Sequence, residues 1–253
     1  MTIDPDTVLA VTCAGLIAFV GLAVVGFRAG QRRERSWQQL AARQAWRLER
    51  RPAGDPALIL HGRSGKFHWR CGVRTGASVN NPLSTSHNIT RLETVWSTTL
   101  TGTGLAGELA VYDNAHLRNL RRITGSRLLH VLGSLAPGEA GKLLRTGMAG
   151  ANAKTIPLGS SHHALCLNAA AEQFVDPVWQ AACLRFASRN PGYPLRLYLH
   201  ANSLELALTG AIWHAEHLLR FFDSAAELAA ATEQRLRRLA HGEALEPEET
   251  LRS

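Results

Sequence analysis

Apolar positions run without a charge through residues 7–27 (TVLAVTCAGLIAFVGLAVVGF), between Asp6 and Arg28. A helix rises about 1.5 Å per residue, so a run of this length matches a hydrocarbon core about 30 Å thick. The pattern predicts a single N-terminal transmembrane helix. A cleavable signal peptide fits less well, because the preceding tip is acidic and the run is long and ends in Phe27-Arg28. A buried core helix would carry a polar face. Ala10, Ala14, Ala18 and Gly21 form a small-residue stripe through which two such helices can approach, giving a possible homodimer.

After Arg28 the periodicity shortens. Residues 31–44 read as a helix with Trp37, Leu40, Ala41 and Gln44 on one face and Arg32, Arg35 and Arg43 away from it. Residues 46–50 alternate as extended chain, and RPAGDP (51–56) breaks the pattern. Strand-like alternation follows over 57–61, 66–74, 89–100 and 105–112, with a polar loop at 76–88. The middle reads as helical. Asp113 or Asn114 can cap a helix through Leu117, Leu120 and Ile123, with more helix over 127–135 and 137–144. The small-residue-rich stretch 147–159 marks a candidate boundary, and 163–167 a short strand.

The C-terminal part is the most regular. Asp176 caps a helix with Pro177 at its first position, and Asn190-Pro191-Gly192 ends it. Leu195, Leu197 and Leu199, then Leu204, Leu206 and Leu208, alternate on either side of Ala201-Asn202-Ser203, the strongest hairpin pattern in the chain. One helix is expected over Ile212, Trp213 and Leu218, and a second capped by Asp223. Strands then helices, twice and without regular βαβ alternation, predict an α+β chain of antiparallel hairpins packed with helices behind the membrane span. The expected division is a tip at 1–6, a span at 7–27, an Arg-rich segment at 28–51, subdomains at 52–150 and 151–242, and an acidic tail at 243–253.

Charge gives the span an orientation. The chain carries a formal +8, but Arg28, Arg32, Arg33, Arg35, Arg43, Arg47, Arg50 and Arg51 against Glu34 and Glu49 put +6 of it in residues 28–51. The basicity is therefore a juxtamembrane collar and gives little support for nucleic-acid binding. Arg-rich flanks stay on the cytoplasmic side, which places the tip outside the plasma (inner) membrane and the large domain in the cytoplasm. Arg28, Arg32, Arg33 and Arg35 with Trp37 make a candidate membrane-surface set, with packing of Trp37 on the domain as the alternative. Four cysteines without a CxxC or Cys/His cluster argue for free thiols in a reducing compartment.

Candidate chemistry is sparse. Gly102, Gly104 and Gly107 fit GxGxxG, but Glu108 to Tyr112 alternate as a strand where a dinucleotide site needs a helix, so the glycines read as turns. PGEAGKL (137–143) lacks the first glycine and the Ser/Thr of a phosphate loop. His214 and His217, three apart on a helix, can share a metal only if a third ligand arrives, and His200 is the nearest candidate. Ser160, Ser161, His162 and His163 put hydroxyls beside imidazoles, with Glu172 as a further polar group, yet sequence neighbours rarely form a nucleophile–base pair. No cofactor is expected.

The segments WQQLA (37–41) and WRLE (46–49), leading through a short strand to Gly62 behind an Arg collar, resemble uncharacterised bacterial inner-membrane-anchored α+β proteins. The resemblance covers about the first third of the chain and implies no activity. The expected role is a membrane-tethered cytoplasmic binding or scaffolding domain with a membrane or cytoplasmic protein partner. The alternatives are a membrane-anchored, His-dependent hydrolase and a sensor of anionic lipid surfaces.

Overall fold

The structure is a computed structural model that describes residues 34–51, 58–76, 91–102, 104–114 and 154–242. In chain order its elements are α1 (34–43), β1 (Arg47–Arg50), β2 (Leu58–Ser64), β3 (Phe67–Gly76), β4 (Arg91–Thr99) and β5 (Leu105–Asp113). Then come β6 (Lys154–Leu158), β7 (His162–Cys166), α2 (Ala169–Phe174), α3 (Pro177–Arg189), β8 (Leu195–Ala201), β9 (Ser203–Thr209) and α4 (Ala215–Ala240).

The strands form one nine-stranded sheet in the order β1-β2-β3-β4-β9-β8-β5-β7-β6. Every ladder in it is antiparallel. This corrects the expected α+β layout of a transmembrane helix followed by hairpins packed with helices. The β8–β9 hairpin inserts between β4 and β5, so strands from before and after residue 151 share ladders in a single sheet with few helices. Among the described residues no helix is long and apolar enough to cross a membrane. The run 7–27, its stripe of Ala10, Ala14, Ala18 and Gly21, and the helices expected at 117–144 lie outside the described residues.

Side chains alternate across a strand, so the sheet has two faces. The inner face carries Leu60, Trp69, Trp96, Leu109, Leu197 and Leu206, all packed in one core with residues of the helices. The principal cover is α4, a 26-residue amphipathic helix that buries Leu218, Phe221, Phe222, Ala225, Leu228 and Leu236. Two helices were expected here. Asp223 is exposed inside a continuous one, because the apolar stripe before and after it keeps the same phase. The cap expected at Asp176 forms, its side chain accepting from Trp179 N at 2.7 Å at the start of α3.

Both sheet edges are protected against pairing with another chain. β1 is four residues long and reads RLER, and β6 carries Pro157. β6 and α2 had no counterpart in the sequence reading.

Candidate functional site

The outer face of the sheet carries polar side chains over β1–β4, β9 and β8, and a small buried cluster of Ala110, Tyr112 and Leu165 with Leu167 and Tyr198 at its β5–β7 end. Register places Arg47 opposite His61, His61 opposite Arg70, Arg70 opposite Ser97, Ser97 opposite Glu205 and Glu205 opposite Tyr198. One polar row thus crosses six adjacent strands. A second row passes from Arg63 to His68 on β2 and β3, and continues on the far side as Ser203, His200 and Glu108. His68, Arg70, Ser203 and His200 are exposed.

Further along the same face the polar groups become buried. Arg74 on β3, Glu93 on β4, Glu205 on β9 and Arg196 on β8 form a chain of charges across four adjacent strands. Glu93 is ion-paired with Arg196 and lies 3.6 Å from Arg74 Nε, and Arg74 Nη2 donates to Glu205 Oε1 at 2.8 Å. Glu93 and Arg196 are only 3% and 6% exposed. Burial, with the neighbouring Arg74 charge, pulls the Arg196 guanidinium down to about 10, and Glu205 opposes the shift. The pairs run from β3 through β4 and β9 to β8, so the cluster ties these strands together.

Two further buried charges are also structural. Glu233 on α4 accepts from Lys66 Nζ at 2.7 Å and is held by Thr101 and Arg237 as well. Arg235 donates to the Phe174 and Gln173 carbonyls and lies 3.2 Å from Asp176. Both pairings fasten α4 to neighbouring elements.

The residues singled out in the sequence do not converge. His200 faces outward with Nδ1 3.3 Å from Glu108 Oε1, at the hairpin end of β8. His214 caps the start of α4 beyond the other end of β9, so the length of a seven-residue strand, about 20 Å, separates them. His214 and His217 do lie together, with ring centroids 5.6 Å apart. Among the described residues no group of three or more His, Cys, Asp or Glu can hold a metal.

Ser161 Oγ sits 2.9 Å from His162 Nδ1, a bond between sequence neighbours, while His162 Nε2 is buried with no hydrogen-bond partner among the described residues. Burial holds the His162 imidazole below its ordinary value, assisted by His163 and opposed by Asp113. His163 opposes Tyr112 on the other face, and Glu172 is bonded to Lys154, so these groups are not brought to one point. Gly102 has positive φ just before β5, while Gly107 lies within β5 where the ladder register shifts between Leu105 and Glu108, so the chain runs on as a strand where a dinucleotide site needs a helix. Cys71, Cys166 and Cys183 are free and buried, and desolvation raises all three thiols, Cys166 to about 11, which keeps them unreactive.

Trp37 is 1% exposed, with its Nε1 donating to the Ile212 carbonyl at 3.2 Å, so its ring packs on the domain. Arg35 is exposed on α1, and Arg28, Arg32 and Arg33 lie outside the described residues. Sequence reasoning missed the Arg74–Glu93–Arg196–Glu205 cluster. Each member occupies the outward phase of a strand, a signal present in the sequence, but only the strand order joins them.

No known protein family matches the chain, and no curated protein matches it. Among solved structures, the crystal structure of the mycobacterial trehalose monomycolate transport factor A, TtfA, is similar. The two share 11% sequence identity, with 82% of this chain and 94% of that chain covered and a TM-score of 0.46. Likeness of that degree does not extend to what either protein binds.

Proposed function

We propose that this chain is a membrane-associated binding domain, held on the cytoplasmic side, that receives its partner on the outer face of the sheet. The observation that carries this reading is the asymmetry of the two faces over β1–β4, β9 and β8. Helices and core side chains cover the inner face, while the outer face keeps Arg63, His68, Arg70, Ser203 and His200 exposed, and only its β5–β7 end is closed by the buried Ala110, Tyr112 and Leu165. Exposed, laterally aligned polar side chains on a broad sheet suit recognition, where a catalytic site would gather a nucleophile, a base and an orienting group. The buried charged groups Glu93, Arg196, Glu233, Asp176 and Arg235 are committed to pairs within the fold. The uncharged run 7–27 and the Arg collar of the sequence support the membrane placement and its orientation.

Photocrosslinking of the full chain in its native membranes tests the reading. A benzophenone side chain at Ser203 on the outer face is expected to give a discrete adduct, and one at Gln234 on α4 is expected to give none. Adducts from Gln234 alone, or recovery of the chain outside the membrane fraction, overturns it.

A further inference from the structure

We infer that the β1–β3 end of the outer face is a docking surface for anionic lipid headgroups, an inference that rests on the membrane-associated reading above. The outward positions of these strands are Arg47 and Glu49 on β1, Ile59, His61 and Arg63 on β2, and His68, Arg70, Gly72 and Arg74 on β3. Arg47 opposes His61, His61 opposes Arg70, and Arg63 opposes His68. Adjacent strands are about 4.8 Å apart and alternate residues about 7 Å, so five donor side chains occupy a patch about 10 Å wide.

Among the described residues the guanidinium charges of this patch are not consumed by ion pairs, whereas His61 is engaged by Glu49. Among the described residues, no carboxylate lies within ion-pair distance of Arg47, Arg63 or Arg70; Arg63 donates to the Gly65 carbonyl at 2.7 Å and Arg70 to the Ser97 hydroxyl at 3.0 Å. The acidic residue in the patch, Glu49, is engaged by Arg51 at 2.9 Å and His61 at 3.0 Å, contacts that hold its carboxyl below the ordinary value. Arg74 belongs to the buried cluster and marks where the free charge ends.

Protection of the sheet edge does not account for this arrangement. Edge protection needs charge on β1, whereas Arg63 and Arg70 lie one and two strands inward. Position along the chain supplies the partner. β1 follows α1 after a turn at 44–45, and only residues 28–33 separate α1 from the apolar run, a stretch that reaches at most about 20 Å. With the length of α1, about 15 Å, added, the patch is tethered within about 35 Å of the apolar run, close enough for the domain to turn it onto a bilayer surface, where Arg side chains that come within a Debye length are drawn to anionic headgroups. Guanidinium groups suit this role because their donors match phosphate oxygens in pairs.

The test uses the full chain in lipid nanodiscs of phosphatidylcholine alone or with phosphatidylglycerol, and follows phenylglyoxal modification of each Arg by mass spectrometry. With phosphatidylglycerol, modification of Arg47, Arg63 and Arg70 is expected to slow by about threefold or more at low salt and to recover at high salt, while the exposed Arg185 and Arg220 are unchanged. Equal rates in the two lipids overturn the docking surface and leave membrane association standing. Equivalent protection in phosphatidylcholine discs by inorganic phosphate alone also overturns it, in favour of a small-anion site. Failure of the chain to remain with either disc instead overturns the membrane-associated reading itself.

Discussion

Gly62 and Trp69 face each other across the β2–β3 ladder, and a Cβ on Gly62 would lie 2.2 Å from Trp69 Cζ2. The missing side chain lets the indole lie flat over β2, donate to Ser64 Oγ at 2.9 Å and stack on Phe222 of α4 with ring centroids 4.5 Å apart. Trp46 meets both rings edge-on. Gly62→Ala therefore forces the indole off this stack. The expected loss is about 1–3 kcal/mol, the usual cost of overpacking a core, read as a lower melting temperature with a change in tryptophan emission. An unchanged melting temperature contradicts the packing described.

The Glu93–Arg196 pair predicts a thermodynamic cycle. Glu93→Leu leaves Arg196 buried beside Arg74 without its anion and is expected to cost about 3–5 kcal/mol. The double variant Glu93→Leu/Arg196→Met removes both charges and is expected to recover most of that loss, because a desolvated pair contributes little net stability. Chemical denaturation of the single and double variants measures the coupling. Additive losses would show that the two residues act independently.

Glu233 predicts acid sensitivity. Burial works against its charge, but hydrogen bonds from Lys66 and Thr101 and the charges of Lys66 and Arg237 prevail, and its pKa falls below the ordinary 4.5. A carboxylate depressed in the folded state contributes stability above the unfolded value and loses it as pH falls through the folded value. Glu233→Gln is expected to melt below the parent near neutral pH and to converge with it as the pH falls through the depressed folded value of Glu233. A difference that persists undiminished in acid contradicts the assignment.

The elements that were legible in the sequence are those whose pattern is local. The alternating leucines of the β8–β9 hairpin and the Asp176-Pro177 start of α3 appear as expected, because strand phase and capping depend on near neighbours. The single sheet was not legible, since insertion of that hairpin between β4 and β5 is a long-range choice. β6 was hidden for another reason: Lys154 to Leu158 include Pro157 and only two buried or half-buried aliphatics, which suits an edge strand and resembles a loop. The outer-face charges had the same fate. Arg74, Glu93, Arg196 and Glu205 each read as an ordinary outward residue until the strand order sets them side by side.

If the outer face of the sheet is the surface occupied at the membrane, as proposed above, its exposed side chains are shielded there. Hydroxyl-radical footprinting of the full chain, in native membranes and after detergent extraction, tests it most directly. Oxidation of His68, Tyr198 and His200 is expected to be suppressed in membranes, while Val178 on α3 and His217 on α4 react equally in both states. Suppression at Val178 and His217 with no change at His68, Tyr198 and His200 would contradict it.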